Sequence, residues 1–103
     1  MTYPDLPETG GWVYFMGSMS GVLYVGSTGD LVRRVWEYKE RMNEGSFTSR
    51  YNVMKLLYFE SFEELYLARD REYIIKKWSR QKKLDLIQTQ NPLHLDLAND
   101  WFD

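Results

Sequence analysis

Two short runs of β-branched and aromatic residues near the start of the chain predict a β-hairpin. The runs cover residues 12–16 and 22–25, and glycines bound both of them. Because side chains alternate along a strand, each run contributes to two faces. One face carries Val13, Phe15, Leu23 and Val25, and the other carries Trp12, Tyr14, Tyr24 and Gly26. The first set suits a core covered by helices, so we expect the second set to lie on a more open face.

The pattern then changes to a helical period and back to that of a strand. Asp30 can cap a helix that begins at about Leu31, and Gly45 is expected to end it. The apolar positions at helical spacing are Leu31, Val35, Tyr38 and Met42. After a polar loop, the apolar run at residues 53–59 predicts a third strand.

Two more helices are predicted in the second half of the chain. Ser61 and Glu64 match a capping box, which opens a long helix. The inner stripe of this helix contains Leu65, Ala68 and Ile75, with Glu72 at its border. Another helix starts at Ser79 and stops at Asn91, because the residue before a proline avoids helical geometry.

The element order is therefore strand, strand, helix, strand, helix, helix. This order predicts a small α/β structure of the α+β kind, in which helices flank a three-stranded antiparallel sheet. The 103 residues match the size of a single domain, with a core over residues 12–92 and acidic terminal segments. The tail from Leu93 alternates apolar and acidic residues, which leaves docking and fraying both open.

The composition excludes several kinds of site. The chain has no cysteine, which rules out disulfides, thiolate metal sites and a cysteine nucleophile. Its one histidine, His94, rules out a histidine-rich metal cage, and the GxGxxG and P-loop motifs are absent. No apolar run approaches the roughly 20 residues that cross a bilayer, and the start does not resemble a signal peptide. We therefore expect a cytoplasmic protein.

The basic residues are concentrated in the middle of the chain. The net charge is -2, but all 13 lysines and arginines lie between positions 33 and 83. A loop carries Arg50 beside Tyr51, and the stretch KKWSRQKK contributes Lys76, Lys77, Trp78, Arg80, Lys82 and Lys83. Cations bind phosphates without reading sequence and rings stack on unpaired bases, so the basic residues are candidate nucleic-acid contacts. The competing interpretation is a set of solvated helix faces, with Trp78 packed between helices.

Five polar side chains are candidates for chemistry. They are Tyr14, Tyr24, Arg34, Tyr38 and Glu72. The first two tyrosines share the expected open face, and the arginine lies one turn before the third tyrosine on the first helix. Each also has a structural alternative. A tyrosine can pack its ring and leave its hydroxyl in water, and Glu72 can simply pair with Lys76 at i+4.

The spacing of these residues resembles that of the GIY-YIG nuclease superfamily. The segments that carry the resemblance are WVY at 12–14, YVGST at 24–28, DLVRR at 30–34 and ARDREYIIKKWSRQKK at 68–83. The resemblance covers residues 12–92 and is strongest to small stand-alone bacterial members and to the amino-terminal nuclease domain of the excision-repair subunit UvrC. Two departures from the family pattern are tolerable in a strand. Trp12, a strand residue, stands for a glycine, and Val25 stands for an isoleucine and remains an apolar β-branched side chain.

The resemblance implies roles for the matching residues. The signature positions of the family fall on Tyr14, Tyr24, Gly26, Arg34, Tyr38 and Glu72. Glu72 would be the metal ligand, and Arg34 would hold the phosphate through its planar guanidinium. Gly26 would let the backbone turn closely past the site, and Thr28 beside it is a further nucleic-acid contact. Asn91 matches an Asn-Pro pair of the stand-alone members and would support the site.

The implied activity is metal-dependent hydrolysis of DNA phosphodiester bonds, in repair, recombination or processing. One Mg²⁺ or Mn²⁺ needs a single protein carboxylate when waters and phosphate oxygens complete its coordination. Tyrosine is a weak base at its ordinary pKa of about 10, so Tyr14 needs the cation and Arg34 to favour its phenolate. The resemblance gives Tyr24 and Tyr38 orienting roles, and which tyrosine acts as base stays open.

DNA is thus the expected partner, with single-stranded and branched forms both open. An alternative from a different class is a catalytically weak nucleic-acid-binding or protein-interaction module that retains the nuclease fold. The modest net charge favours this alternative, whereas the intact set of tyrosines, arginine and glutamate favours the enzyme.

Overall fold

The elements of the protein follow the predicted order. The computed structural model describes residues 6–41 and 50–102. Its antiparallel sheet consists of Gly11–Gly17 (β1), Leu23–Thr28 (β2) and Lys55–Phe62 (β3), in the order β2-β1-β3. The helices of the described residues are Leu31–Lys39 (α1), Leu65–Lys76 (α2) and Arg80–Gln90 (α3). The α+β class and the order β-β-α-β-α-α are confirmed.

The central strand β1 fixes the register of the sheet. Tyr14 lies opposite Gly26 on β2 and opposite Phe59 on β3. The β1–β3 ladder shifts register between Phe15 and Met16, so β1 is regular on its β2 side and irregular on its β3 side. Since β2 has β1 as its sheet neighbour on one side, it forms an edge beside Tyr14.

The predicted division of side chains between the two faces is correct, but the expectation of an open face is wrong. Val13 and Phe15 belong to a cluster that includes residues of α2 and α3, namely Ala68, Ile75 and Ile87. On the other face, Tyr14 belongs to a second cluster with Trp12, Met16, Leu31, Val35, Ala98 and Trp101. Tyr14 is 0% exposed. The face is closed because α1 and the C-terminal tail pack on it.

Asp96 holds the C-terminal tail against the sheet. Its Oδ1 accepts hydrogen bonds from the backbone N–H groups of Leu56 and Ala98, both at 3.0 Å. Its Oδ2 pairs with Lys39 Nζ at 2.5 Å, and Leu97 donates its N–H to the Leu56 carbonyl at 2.8 Å. Of the two outcomes left open for the tail, the structure therefore shows docking.

Two predicted boundaries need correction, and two caps are confirmed. The first helix ends at Lys39, and Arg41 beyond it has a φ of 54°. The predicted positions Met42 and Gly45 lie outside the described residues. The capping box is wrong, because Ser61 still belongs to β3 and the Glu64 side chain makes no cap hydrogen bond. The carboxylate of Asp30 caps α1 and the hydroxyl of Ser79 caps α3, as predicted.

Membrane insertion finds no support in the helices of the described ranges. None of them combines the length and the apolar character that a bilayer crossing requires.

Candidate functional site

Three tyrosines and an arginine meet between the sheet and α1. The hydroxyl groups of Tyr14 and Tyr38 are 2.9 Å apart, and Arg34 donates from Nη1 to the Tyr14 hydroxyl at 3.1 Å. The Tyr38 ring lies 5.8 Å from the Tyr14 ring and 6.0 Å from the Tyr24 ring, measured between centroids. Four of the five predicted candidates for chemistry are therefore in one cluster, which we call the tyrosine cluster.

The hairpin and the start of α1 hold the tyrosine cluster together. The Asp30 cap fixes the first turn of α1, so Arg34 and Tyr38 project one turn apart toward the sheet. Opposite them, Gly26 leaves room for the ring of Tyr14. A Cβ atom at Gly26 would lie 2.6 Å from Cζ of Tyr14, far inside van der Waals contact. Gly26 is therefore required because a side chain at this position would overlap the Tyr14 ring. This steric reason replaces the backbone turn as the explanation for the glycine.

Burial controls the protonation of these tyrosines. It raises the pKa of Tyr14, and the opposing effects of the hydrogen bond to Tyr38 and of the Arg34 charge do not cancel the rise. Burial also raises the pKa of Tyr38, and its proximity to Tyr14 raises it further. Both phenols therefore keep their protons to a higher pH than an exposed tyrosine does. Arg34 alone thus does not produce the phenolate that a tyrosine base requires.

Glu72 lies beside the opposite face of β2 and has its own partners. Its side chain is 18% exposed, its Oε2 pairs with Lys76 Nζ, and its Oε1 accepts a hydrogen bond from the Ser27 hydroxyl. Ser27 alternates with Gly26 on the edge strand, so it points away from the face that carries Tyr24. Among the described residues, Glu72 accepts a hydrogen bond from Ser27 and forms an ion pair with Lys76. Neither partner belongs to the tyrosine cluster.

Lys76 is the charged partner of Glu72. The hydrogen bond to Glu72 raises the pKa of Lys76 against the effect of burial, and the charge of the Glu72 carboxylate raises it further. The side chain of Lys76 is 50% exposed, so the ion pair is open to solvent. The i+4 pairing that the sequence offered as the structural alternative for Glu72 is therefore present.

Ser27 is a site residue that the sequence analysis missed. Its position directly after the YVG segment was the available signal, since alternation along β2 turns it toward the helix that carries Glu72. The hydrogen bond itself depends on how α2 packs on the sheet, and no local pattern reports that packing.

The predicted nucleic-acid contacts separate into surface and interior residues. Gly26 and Thr28 are buried, and the Thr28 hydroxyl is bonded to the backbone of Asp30, so their assignment as nucleic-acid contacts stays a prediction. Asn91 is 3% exposed and bonds to Leu57 and Leu95, so it ties the end of α3 to the sheet and the tail. These three residues have structural tasks in the fold.

The predicted basic contacts lie at the surface. Exposed side chains are those of Arg50, Lys76, Lys77, Arg80 and Lys82, and Lys83 is half-buried. Lys77 lies 4.0 Å above the Tyr73 ring, and Lys82 lies 4.3 Å above the ring of Trp78. Trp78 is half-buried against the core under α2 and α3, in agreement with the packing interpretation.

The oxygen donors of Glu72 and Ser27 suit one hard cation whose remaining ligands are water molecules and substrate oxygens. Over residues 6–41 and 50–102, no group of three or more histidine, aspartate or glutamate side chains could together hold a metal ion. Glu72 offers a carboxylate with a serine hydroxyl beside it, and Mg²⁺ commonly binds through one or two carboxylates while it keeps several waters. These residues fit a single divalent cation.

Comparison with known proteins identifies the family of this chain. The family model described as the GIY-YIG catalytic domain matches residues 10–85. A UPF0213 protein of Clostridium perfringens is 35% identical over 80 residues, which are 78% of this chain and 85% of that protein. A UPF0213 protein of Staphylococcus saprophyticus is 36% identical over 77 residues, 74% of this chain and 92% of the relative.

A solved structure shows the same fold. The solution NMR structure of a UPF0213 protein from Bacillus halodurans superposes with a TM-score of 0.54 at 22% identity, and the match covers 89% of this chain and 98% of that one. The match of the family model over most of the chain indicates a nuclease domain with a nucleic acid as its substrate. The chain belongs to the GIY-YIG family, as a small member similar to the UPF0213 proteins.

Proposed function

We propose that this protein is a metal-dependent endonuclease that hydrolyses DNA phosphodiester bonds. The observation that carries the proposal is the cluster in which Arg34 donates to the Tyr14 hydroxyl and this hydroxyl lies 2.9 Å from that of Tyr38, with Glu72 beside the other face of the edge strand β2. Phosphodiester hydrolysis needs a positive group for the phosphoryl oxygens, a proton acceptor for water and a cation near the leaving group. The residues of this site can supply the first two, and Glu72 can bind the third.

Arg34 is proposed to bind the scissile phosphate. Its side chain is 40% exposed, so the guanidinium is buried enough to be oriented and open enough to be reached. One nitrogen donates to Tyr14 and another lies 3.3 Å from Glu37, which leaves further N–H donors for phosphate oxygens. This arrangement fixes the direction in which a phosphate approaches the tyrosine cluster.

Glu72 is proposed to hold one Mg²⁺ or Mn²⁺, with Ser27 orienting its carboxylate. When bound, such a cation neutralises charge on phosphoryl oxygens and lowers the pKa of a coordinated water. Tyr14 is the candidate base, and Tyr24 and Tyr38 orient it. Because burial raises the pKa of Tyr14, deprotonation needs positive charge in addition to that of Arg34.

DNA is proposed to extend over the exposed cations near α3, with single-stranded, branched and duplex forms as the candidates. The side chains concerned are Arg50, Lys76, Lys77, Arg80, Lys82 and Lys83. Such contacts bind phosphates without reading bases, so affinity should fall steeply with salt. A cytoplasmic role in DNA repair, recombination or processing would follow from this activity.

One observation favours a second candidate function. Burial raises the pKa of Tyr14 and of Tyr38, and a raised pKa suits a catalytically weak nucleic-acid-binding module better than a tyrosine base. The same residues would then serve binding and packing alone.

A cleavage assay separates the two functions. Purified protein with Mg²⁺ or Mn²⁺ should cut at least one of single-stranded, duplex or flap DNA, and EDTA should stop the reaction. Glu72→Gln and Arg34→Ala should each lower the cleavage rate by about 100-fold or more, because each removes charge stabilisation in the transition state. Their thermal unfolding should show that both variants are folded.

Tyr73→Phe is the matched control for this assay. Tyr73 is on α2 one residue from Glu72 but is 64% exposed, so the variant should cut like the wild type. If all four proteins cut at the same rate, the cleavage comes from a contaminant and the binding module is the better description.

A further inference from the structure

The cation proposed for Glu72 has a competitor within the chain. Both carboxylate oxygens already have partners, since Oε1 accepts from the Ser27 hydroxyl and Oε2 is paired with the Lys76 ammonium. A divalent cation that ligates Glu72 therefore changes this arrangement. The side chain of Lys76 is 50% exposed, whereas that of Glu72 is 18% exposed, so the lysine is the partner that water and solutes reach.

Charge and flexibility both select Lys76 as the group that leaves. An ammonium and a divalent cation on one carboxylate lie within a few ångströms of each other, where like charges repel strongly. The Ser27 hydroxyl is neutral, and its backbone is fixed by the pairing of β2 with β1. Lysine carries its charge on a flexible four-carbon stem, and it can swing away without moving α2.

We propose that Lys76 is a positioning residue that holds the Glu72 carboxylate in the metal-free protein and is displaced when a divalent cation binds. This inference rests on the proposed function, because it takes Glu72 as the metal ligand. The exchange replaces the single positive charge that pairs with the Glu72 carboxylate by a double positive charge. The displaced ammonium is then available to a phosphate of the substrate.

The test is a measurement of Mn²⁺ affinity without DNA, by titration calorimetry or by the electron paramagnetic resonance of free Mn²⁺. If Lys76 and the metal ion cannot both pair with Glu72, the ion pair multiplies the apparent Kd of the metal. The factor is one plus the equilibrium constant for forming the Glu72–Lys76 pair. For a partly exposed ion pair that constant is on the order of 2 to 5. Lys76→Gln should therefore bind Mn²⁺ roughly three- to sixfold more tightly than the wild type, while Lys76→Arg should stay within about twofold of it.

Lys77→Gln is the matched control, since it removes the same charge from the next residue, whose ammonium lies on the Tyr73 ring. It should leave the affinity within about twofold of the wild type. An equal gain for Lys77→Gln and Lys76→Gln would overturn the inference, because general charge would then explain both. Unchanged or weaker binding in Lys76→Gln would overturn it as well.

Glu72→Gln distinguishes this failure from that of the proposed function. If Glu72→Gln loses Mn²⁺ binding while Lys76→Gln is unchanged, the metal site stands and the displacement of Lys76 is wrong. If Glu72→Gln binds Mn²⁺ like the wild type, the metal site itself is wrong.

Discussion

Gly26 and Tyr14 show how one residue's size decides another residue's position. The register of the hairpin places them opposite each other, and the tyrosine ring fills the space where a side chain at Gly26 would lie. The sequence indicated that both residues matter through their spacing. It could not show the dependence between them, because that depends on which cross-strand positions are paired and on which rotamer the ring adopts.

Gly26→Ala is expected to lower the free energy of unfolding by about 1–3 kcal/mol, because the added methyl group overlaps the Tyr14 ring. It should also reduce cleavage, since the Tyr14 hydroxyl would move away from Arg34 and Tyr38. Chemical denaturation measures the first effect. Gly29→Ala is the control, because the nearest atom to its added Cβ is 3.8 Å away, and it should change stability by no more than about 0.5 kcal/mol. Equal losses in the two variants would contradict the steric explanation.

The elements were predicted best where a local motif is itself the cause of the structure. Asp30 was expected as a cap and Ser79 as the start of a helix, and both side chains accept the backbone hydrogen bond that a cap makes. Ser61 was expected as a cap and is a strand residue, because its pairing with Trp12 extends β3. Pairing with a distant strand outweighed the local motif, and that competition cannot be judged from the motif alone.

The tail provides the test at the scale of elements, through Asp96. Asp96→Ala should lower the free energy of unfolding by about 2–3 kcal/mol, since it leaves the N–H of Leu56 and the Lys39 ammonium without this partner. Asp96→Asn should cost less, because an amide oxygen can still accept from Leu56. Denaturant titration measures both. Asp100→Ala, at an exposed position four residues on, should have little effect. A neutral Asp96→Ala would mean that the tail does not stabilise the sheet.

At the scale of the whole molecule, the sheet has packed layers on both sides. The sequence predicted the sorting of side chains between the faces but left the tyrosine face open. The missing layer combines α1 with Ala98 and Trp101, which come from far apart in the chain. Periodicity within a window cannot report such a contact, so the tail was the part of the fold that sequence reasoning left undecided. For the candidate site, the pairing of Glu72 with Lys76 was predictable from their i+4 spacing, whereas the Ser27 contact of Glu72 needed the packing of α2 on the sheet.

Buried phenols should make this protein sensitive to high pH. Burial raises the pKa of Tyr14, Tyr38 and Tyr58 above the unfolded value of about 10. Their stabilisation is therefore complete below about pH 10 and is lost as the pH rises toward their folded pKa values. At pH 11 Tyr38 and Tyr58 each lose on the order of 1 kcal/mol, so the Tm should fall by at least about 5 °C between pH 9 and pH 11.

Calorimetry across this pH range, with two tyrosine variants, checks the assignment. Tyr58→Phe should flatten the alkaline fall in Tm, since it removes a buried titrating group. Tyr73→Phe should leave the fall unchanged, because Tyr73 is 64% exposed. Parallel profiles for the wild type and Tyr58→Phe would show that this phenol does not drive the alkaline loss.

The pairing of Glu72 with Lys76 also bears on how the protein matures. Because the Lys76 ammonium already compensates the charge of the Glu72 carboxylate, the chain does not need a metal ion in order to fold. It can therefore fold in a cell that contains little free metal. Small zinc-binding domains behave differently, because they gain their folding energy from the ion. In this protein the proposed metal ion would control activity and would not be required for folding.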